Sequence, residues 1–307
     1  MPSQTKARKS LQTNSRSGWQ DKVVAGLFRA AGLSTVLILL GIFLMLTING
    51  IQAFADISLK DFFFGSLWNP SAYGEPSYGI GAMLVSTFMV TLGSMVIAVP
   101  LGIGTAAYLS EVAPARVREI LKPMIEMLAG IPSVAIGFLG IVLVGPIIAR
   151  TFGLSNGLNA LNGSILLAIM ALPTIISVAE DAIRSVPHTY KEGSLALGAT
   201  KWTTLVRVTL PACTSGLIAA VVLGMGRAIG ETMTVLMATG NAPAMPNGFF
   251  DPVRTITATI AIELGEVPYG STHYYSLFAI GTVLFLISLA VNLIAERIAA
   301  HYRSQHS

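Results

Sequence analysis

The sequence predicts an all-α polytopic membrane protein with six transmembrane helices, and three observations carry that expectation. Of the 307 residues, 53% are hydrophobic and only 11% charged, with a mean hydropathy of +0.70. A soluble domain carries about 25% charged residues, and a fold of this size could not cover its surface with so few. The apolar residues gather in six runs, each long enough for the roughly 30 Å bilayer core, which takes about 20 helical residues. The Lys and Arg residues fall almost wholly in alternate loops between those runs.

Residues 1–28 form a basic N-terminal segment whose polar first 18 residues are expected to be disordered. The run 29–53 is too long for a cleaved signal peptide, whose apolar region covers about 7–15 residues, so it is expected to remain as the first span. The run 80–109 is longer than a crossing needs and contains Pro100, which predicts a tilt or kink. The run 124–148 carries Gly130-Ile131-Pro132-Ser133. Proline removes a backbone donor and frees a carbonyl that lipid cannot satisfy, so this stretch is either a plain kink or a break lining a pathway. Ser133 would offer a hydroxyl there, and Glu126 is expected to snorkel at the membrane edge. The run 164–180 is short and interrupted by Pro173, 212–239 holds two ionisable residues, and 274–297 leads into a tail at 298–307.

Orientation follows from the basic residues. Lys6, Arg8, Lys9, Arg16, Lys22, Arg29, Arg116, Arg118, Lys122, Arg184, Lys191, Lys201, Arg207, Arg297 and Arg303 fall on one side, against Lys60, Arg150 and Arg254 on the other. This asymmetry predicts both termini in the cytoplasm. It also accounts for the net charge of +4 and the pI near 9.3 without nucleic acid. The outward loops 54–79 and 240–273 carry Phe62, Phe63, Phe64, Trp68, Tyr73, Phe249, Phe250, Tyr269, Tyr274 and Tyr275. They read either as an interfacial aromatic belt or as a platform for an external partner. The lone Cys213 excludes an intrachain disulfide, and four scattered histidines make no metal-ligand spacing. The chain lacks a G-x-x-x-x-G-K-[ST] loop, H-E-x-x-H and G-x-S-x-G, which leaves ATP hydrolysis and intramembrane catalysis without a motif.

The segment 189–211 reads T-Y-K-E-G-S-L-A-L-G-A-T-K-W-T-T-L-V-R-V-T-L-P. Thr189-x-x-Glu192 has the form of a capping box, Gly198 suits a left-handed residue after a helix, and Thr200 can cap a second helix carrying Trp202, Leu205 and Val208. Two short helices with a glycine elbow are therefore expected. Glu192, Gly198, Val208, Leu210 and Pro211 also fit E-A-A-x(3)-G-x(9)-I-x-L-P, with Gly193 and Ser194 at the alanine positions. This resembles the coupling motif of binding-protein-dependent ABC importer permeases. The resemblance implies the type I ABC importer permease fold over 80–297, with Glu192, Gly198, Leu210 and Pro211 in an element that docks on a separate ATPase. Glu192 reads equally as a helix cap.

The run 212–239 contains G-M-G-R-A-I-G-E-T-M, with Arg227 near its midpoint and Glu231 four residues on, on one face of a continuous helix. Placing Arg at a bilayer centre costs about 2.5–3.5 kcal/mol on insertion scales, so that face should meet protein or water. The pair is either a neutralised lock between helices or an anion site. Arg presents a fork suited to oxyanions, whereas Glu only accepts hydrogen bonds, which suits a protonated oxyanion such as hydrogen phosphate over sulfate. Gly224–Asn241, Leu128–Gly137 and Leu172–Val186 are similar to the PstC-type phosphate permeases of the same family. The similarity implies a substrate pathway formed by Arg227, Glu231, Thr232, Pro132 and Ser133. It implies as partners a homologous PstA-type permease, a PstB-type ATPase dimer, an external PstS-type phosphate-binding protein and membrane lipid, with no cofactor on this chain and ATP and Mg on the ATPase. A permease for phosphonate, sulfate or molybdate, a stand-alone channel or carrier, and a membrane-embedded enzyme or scaffold are the competing readings.

Overall fold

The computed structural model describes residues 15–71 and 75–304. The basic residues Lys6, Arg8 and Lys9, most of the polar leader, Tyr73 and His306 lie outside the described residues. Helix α1 (Ser15–Ala53) already includes the last residues of the leader expected to be disordered. After a short α2 (Leu59–Phe64) and a two-stranded hairpin, β1 (Trp68–Asn69) antiparallel to β2 (Ser77–Tyr78), comes α3 (Gly81–Ala107), which passes Pro100 unbroken. It ends in a π-helical turn, Tyr108–Val112.

The third apolar run departs from its expected bounds of 124–148. Residues Ala115–Ala129 form a separate helix, α4, with no buried side chain. The chain then breaks at Gly130–Pro132, and the apolar crossing is Ser133–Phe152, made of α5 (Ser133–Leu139), a π-helical turn (Gly140–Val144) and α6 (Gly145–Phe152). Pro132 has no N–H to continue α4, and the residue before a proline avoids helical backbone. The fourth run is longer than 164–180, because Asn159 starts α7 (Ala160–Arg184) by accepting from the Asn162 N–H at 3.0 Å.

Two short helices, α8 (His188–Ala196) and α9 (Lys201–Thr204), lead through a π-helical turn (Leu205–Thr209) into α10 (Leu210–Ala212). A 73° bend separates this stretch from α11 (Thr214–Gly230). The chain then forms α12 (Met233–Ala238), α13 (Ile256–Glu263) and α14 (Thr272–Ser304). Among the described residues, five helices are long and apolar enough to cross a membrane, and six if the bent pair counts as one span.

Helices α3, α7 and α11 pack together around Val90, Leu167, Ala171 and Ile175, α14 lies against α11, and α1 against α14. The α1–α14 crossing is close at Gly50, where a Cβ would stand 2.9 Å from the Ala279 backbone. Beyond that seam α1 is bare: residues 21–42 are exposed throughout. One end of the bundle is closed by Ala53, Phe62, Trp68, Ile80, Ile256 and Leu277, and the other by Leu109, Ile183, Val186 and Leu205. Since α1 ends and α14 begins at the first end, α1 starts and α14 finishes toward the second, which carries α8 and α9.

The two long loops are not simply an aromatic belt. Phe62 and Trp68 are buried, whereas Phe64 and Tyr269 are exposed. Trp68 Nε1 donates to Glu263 at 2.9 Å, and Glu263 also pairs with Arg254 (2.9 Å) and His273 (2.8 Å), joining loop 54–79 to loop 240–273.

Candidate functional site

Two stations of candidate residues emerge. At the first, Pro187 sets the start of α8 with φ −55 and no side-chain cap forms. The capping box expected at Thr189 and Glu192 is therefore absent: both residues lie inside the helix, and Glu192 is exposed with no bond among the described residues. The elbow forms as its residues dictate. Gly198 takes φ +84, and Thr200 accepts from the Thr203 N–H at 3.2 Å. The hydroxyls of Ser194 and Thr204 meet at 2.9 Å and tie α8 to α9, while Lys191 pairs with Glu111 on the π-helical turn after α3. Leu210 packs on the core at this end, Pro211 is exposed in α10, and the bend follows at buried Cys213. Leu197 (91% exposed) and Trp202 (73%) project from the elbow, beside a cavity of about 520 Å³ lined by Glu192, Leu195, Trp202 and Leu205. This element presents apolar knobs that nothing among the described residues covers.

A buried carboxylate braces the same end. Glu180, 1% exposed, takes Lys122 of α4 at 3.2 Å and Arg184 at 2.9 Å, the latter without hydrogen-bond alignment. The i, i+4 spacing of Glu180 and Arg184 was readable in the sequence; the Lys122 contact arises only from folding.

At the second station the structure corrects the helix-face argument. Helix α11 stops at Gly230, and Glu231 has extended backbone (φ −70, ψ 134), so Arg227 and Glu231 are not on one continuous helix and form no ion pair. Arg227 is exposed on the last turn of α11 and, among the described residues, has no hydrogen-bond or ion-pair partner. Glu231 is half-buried; its Oε1 lies 3.4 Å from both the N–H and the hydroxyl of Thr234 at the start of α12. Its backbone carbonyl accepts from Thr257 at 2.8 Å, and Thr232 donates to the Gly230 carbonyl at 3.4 Å.

The break in this span faces the break in the third apolar run. Thr234 donates to the Ser133 carbonyl at 3.1 Å, and Pro132 is the residue before α5. Gly137 lets the two short helices touch, since a Cβ there would stand 2.9 Å from the Met237 sulfur and 3.3 Å from the Thr234 Cα. Ser133, Glu231 and Thr232 are thus drawn to one place with Pro132 at its edge, and Arg227 stands a turn away on the open side. The sequence reading missed Thr234, Thr257 and Gly137. Thr234 and Gly137 lay inside the stretches already singled out; nothing marked Thr257. The arrangement offers a guanidinium free to bind an anion, a carboxylate able to accept a proton donor, and two helix breaks of the kind that line passages through membranes.

Residues 98–304 match the family described as binding-protein-dependent transport system inner membrane component. The chain is 39% identical over 259 residues to a probable ABC transporter permease protein, YqgH, of Bacillus subtilis, covering 84% of each. It is 33% identical to the phosphate transport system permease protein PstC of Mesorhizobium japonicum, over 90% of this chain and 89% of that one. It is 35% identical to PstC 1 of Mycobacterium tuberculosis, over 86% and 89%. The fold is similar to that of a bacterial ABC transporter for import of the acidic polysaccharide alginate (TM-score 0.61, 18% identity, 92% of this chain and 98% of that). It is also similar to the MetNI methionine ABC transporter in an inward-facing form (TM-score 0.55, 19% identity, 73% and 94%).

Proposed function

Because the chain belongs to the binding-protein-dependent transport system inner membrane component family, we propose that it is the permease subunit of an ATP-driven phosphate importer. The unpartnered Arg227 beside two facing helix breaks is the observation that carries the cargo, supported by the resemblance to PstC proteins. In this reading the guanidinium holds the anionic oxygens of hydrogen phosphate, and the Glu231 carboxylate accepts its remaining O–H. Sulfate, which has no proton to donate at neutral pH, meets only repulsion from Glu231. Thr232 and Ser133 add neutral polar groups at the breaks.

The α8–α9 elbow is the ATPase contact, with Leu197 and Trp202 as its anchors and Gly198, Leu210 and Pro211 fixing its shape. ATP and Mg reside on a PstB-type ATPase dimer, and this chain contributes no cofactor. A PstA-type permease forms the other wall, and a PstS-type binding protein delivers phosphate to the loop-bearing end. Both termini then face the cytoplasm. Movement of the elbow passes through the 73° bend to α11, whose length from Thr214 carries it to Arg227, about 20 Å along the axis.

The test is uptake of labelled phosphate by the complex reconstituted in proteoliposomes. Arg227→Ala is expected to reduce uptake at least about 100-fold while the complex still assembles and hydrolyses ATP. Uptake by the variant equal to that of the parent refutes the role of Arg227. Sulfate competing as well as phosphate would move the cargo to another oxyanion, and uptake without any ATPase subunit would make the chain a carrier.

A further inference from the structure

We propose that the α8 end of the bundle holds a second oxyanion site, separate from the pathway and not explained by it. Ser110, Glu111, Arg118, Arg184, His188 and Lys191 line an open cavity of about 340 Å³. They come from four elements: the turn after α3, α4, the last turn of α7, and the first turn of α8.

Charge favours an anion. Among the described residues, Lys122 and Arg184 pair with Glu180 and Lys191 pairs with Glu111, which together with Arg118 leaves two positive charges over. Donors remain free as well. Arg118 spends Nε and Nη2 on the carbonyls of Leu109 (2.7 Å) and Ser110 (3.0 Å), which fixes its guanidinium and leaves Nη1 unused. Arg184 uses one nitrogen on Glu180. Among the described residues, His188 has no partner, and the Ser110 hydroxyl is buried without one. A buried hydroxyl without a partner is costly, and the cavity it borders is where one would be found. Tetrahedral oxyanions fit this set of donors converging from several sides, because each oxygen accepts more than one hydrogen bond. An anion here bridges α8 to α4 and α7, tying the elbow to the bundle beside it.

The chemistry is shared by inorganic phosphate and by the phosphate of an anionic lipid headgroup. The test uses the complex in nanodiscs, in the two backgrounds Arg227→Ala and Glu231→Gln, so that the pathway site does not mask the signal. One arm titrates inorganic phosphate into phosphatidylcholine discs by calorimetry. The other counts phosphatidylglycerol retained from mixed-lipid discs by native mass spectrometry. Ser110→Ala/His188→Ala removes two donors that hold no structural bond, and is expected to weaken whichever ligand binds by about tenfold or more. Phosphate binding in the first arm assigns the free anion; retained lipid in the second assigns the headgroup. Absence of both, or binding unchanged in the double variant, overturns the site. Because this readout uses no transport, it stands apart from the identity of the cargo.

Discussion

Gly157→Ala tests whether the broken third crossing is held in place by contact rather than by its own helical strength. An added Cβ at Gly157 would lie 2.5 Å from the Gly145 carbonyl carbon and 2.7 Å from its Cα, and closer still to its oxygen. Carbon atoms sit comfortably at about 3.5–4.0 Å, so the start of α6 and the loop before α7 must separate by about 1 Å. That shift strains the Asn162 side chain, whose Nδ2 donates at 3.0 Å to Gly140 and at 3.1 Å to Gly157. Adding the displacement to the second distance exceeds hydrogen-bond range, leaving the Gly157 carbonyl buried and unpaired. Overpacking costs about 1–3 kcal/mol and the stranded carbonyl about 1–3 kcal/mol more, for a total of roughly 2–6 kcal/mol. Gly153→Ala is the control. There φ is +65 and nothing lies within 4 Å of a Cβ, so only the left-handed backbone is penalised, about 1–2 kcal/mol. The assay is thermal unfolding of the purified complex, followed by aggregation and by sizing. A Gly157→Ala protein as stable as the parent, or less damaged than Gly153→Ala, would refute the packing argument.

The other predictions follow from single contacts. Gly198→Ala, at φ +84 with open space around it, should cost the elbow about 1–2 kcal/mol and lower binding-protein-stimulated ATP hydrolysis, while Gly193→Ala, also in open space but at ordinary φ, should leave it unchanged. Glu180→Gln strands Lys122 and Arg184, but both are a third or more exposed and can rehydrate. The expected loss is therefore about 1–3 kcal/mol rather than that of a fully buried pair, and a cycle with Lys122→Met should be non-additive. Thr234→Val keeps the shape and removes the bond to Ser133; it should cost about 1 kcal/mol in unfolding but reduce phosphate uptake disproportionately if the two breaks must stay in register.

Much of this architecture is legible in the sequence because bilayer physics writes it in long apolar runs. The boundaries are less so. The run 124–148 reads as one crossing because Met124, Met127 and Leu128 are apolar, yet they are exposed on α4, on the near side of the break at Pro132. Hydropathy averaged over a window does not register a missing N–H. The Gly130-Ile131-Pro132 signal was visible, and its reading as a broken span rather than a kink matches the backbone. The elbow was also legible, since Gly198 and Thr200 act through local geometry. The capping box failed because Pro187, two residues before Thr189, had already set where α8 begins. Glu231 could not be placed from its spacing: i, i+4 arithmetic assumes a helix, and only the fold reveals that the helix ends at Gly230. Lys122–Glu180 and Thr257–Glu231 join segments distant in sequence, and no local pattern encodes such pairs.

The exposed side of the two breaks argues that one chain does not complete a passage. On α11, Leu223, Arg227 and Gly230 are exposed in helical succession; beyond the facing break, so are Val134 and Phe138. The other sides of the same helices are packed, through Gly224 against Ile175 and through Gly137 against Met237. An unpaired guanidinium facing hydrocarbon at mid-bilayer costs several kcal/mol, and no acid among the described residues reaches Arg227 to relieve it. At that depth lipid would be an unfavourable neighbour for it. Water in a gap bounded by a second protein wall would not be, and in the complex proposed above a second permease against this face would supply that wall. The same geometry makes Arg227 available to an anion: the feature that would destabilise an isolated helix is what keeps its donors unspent.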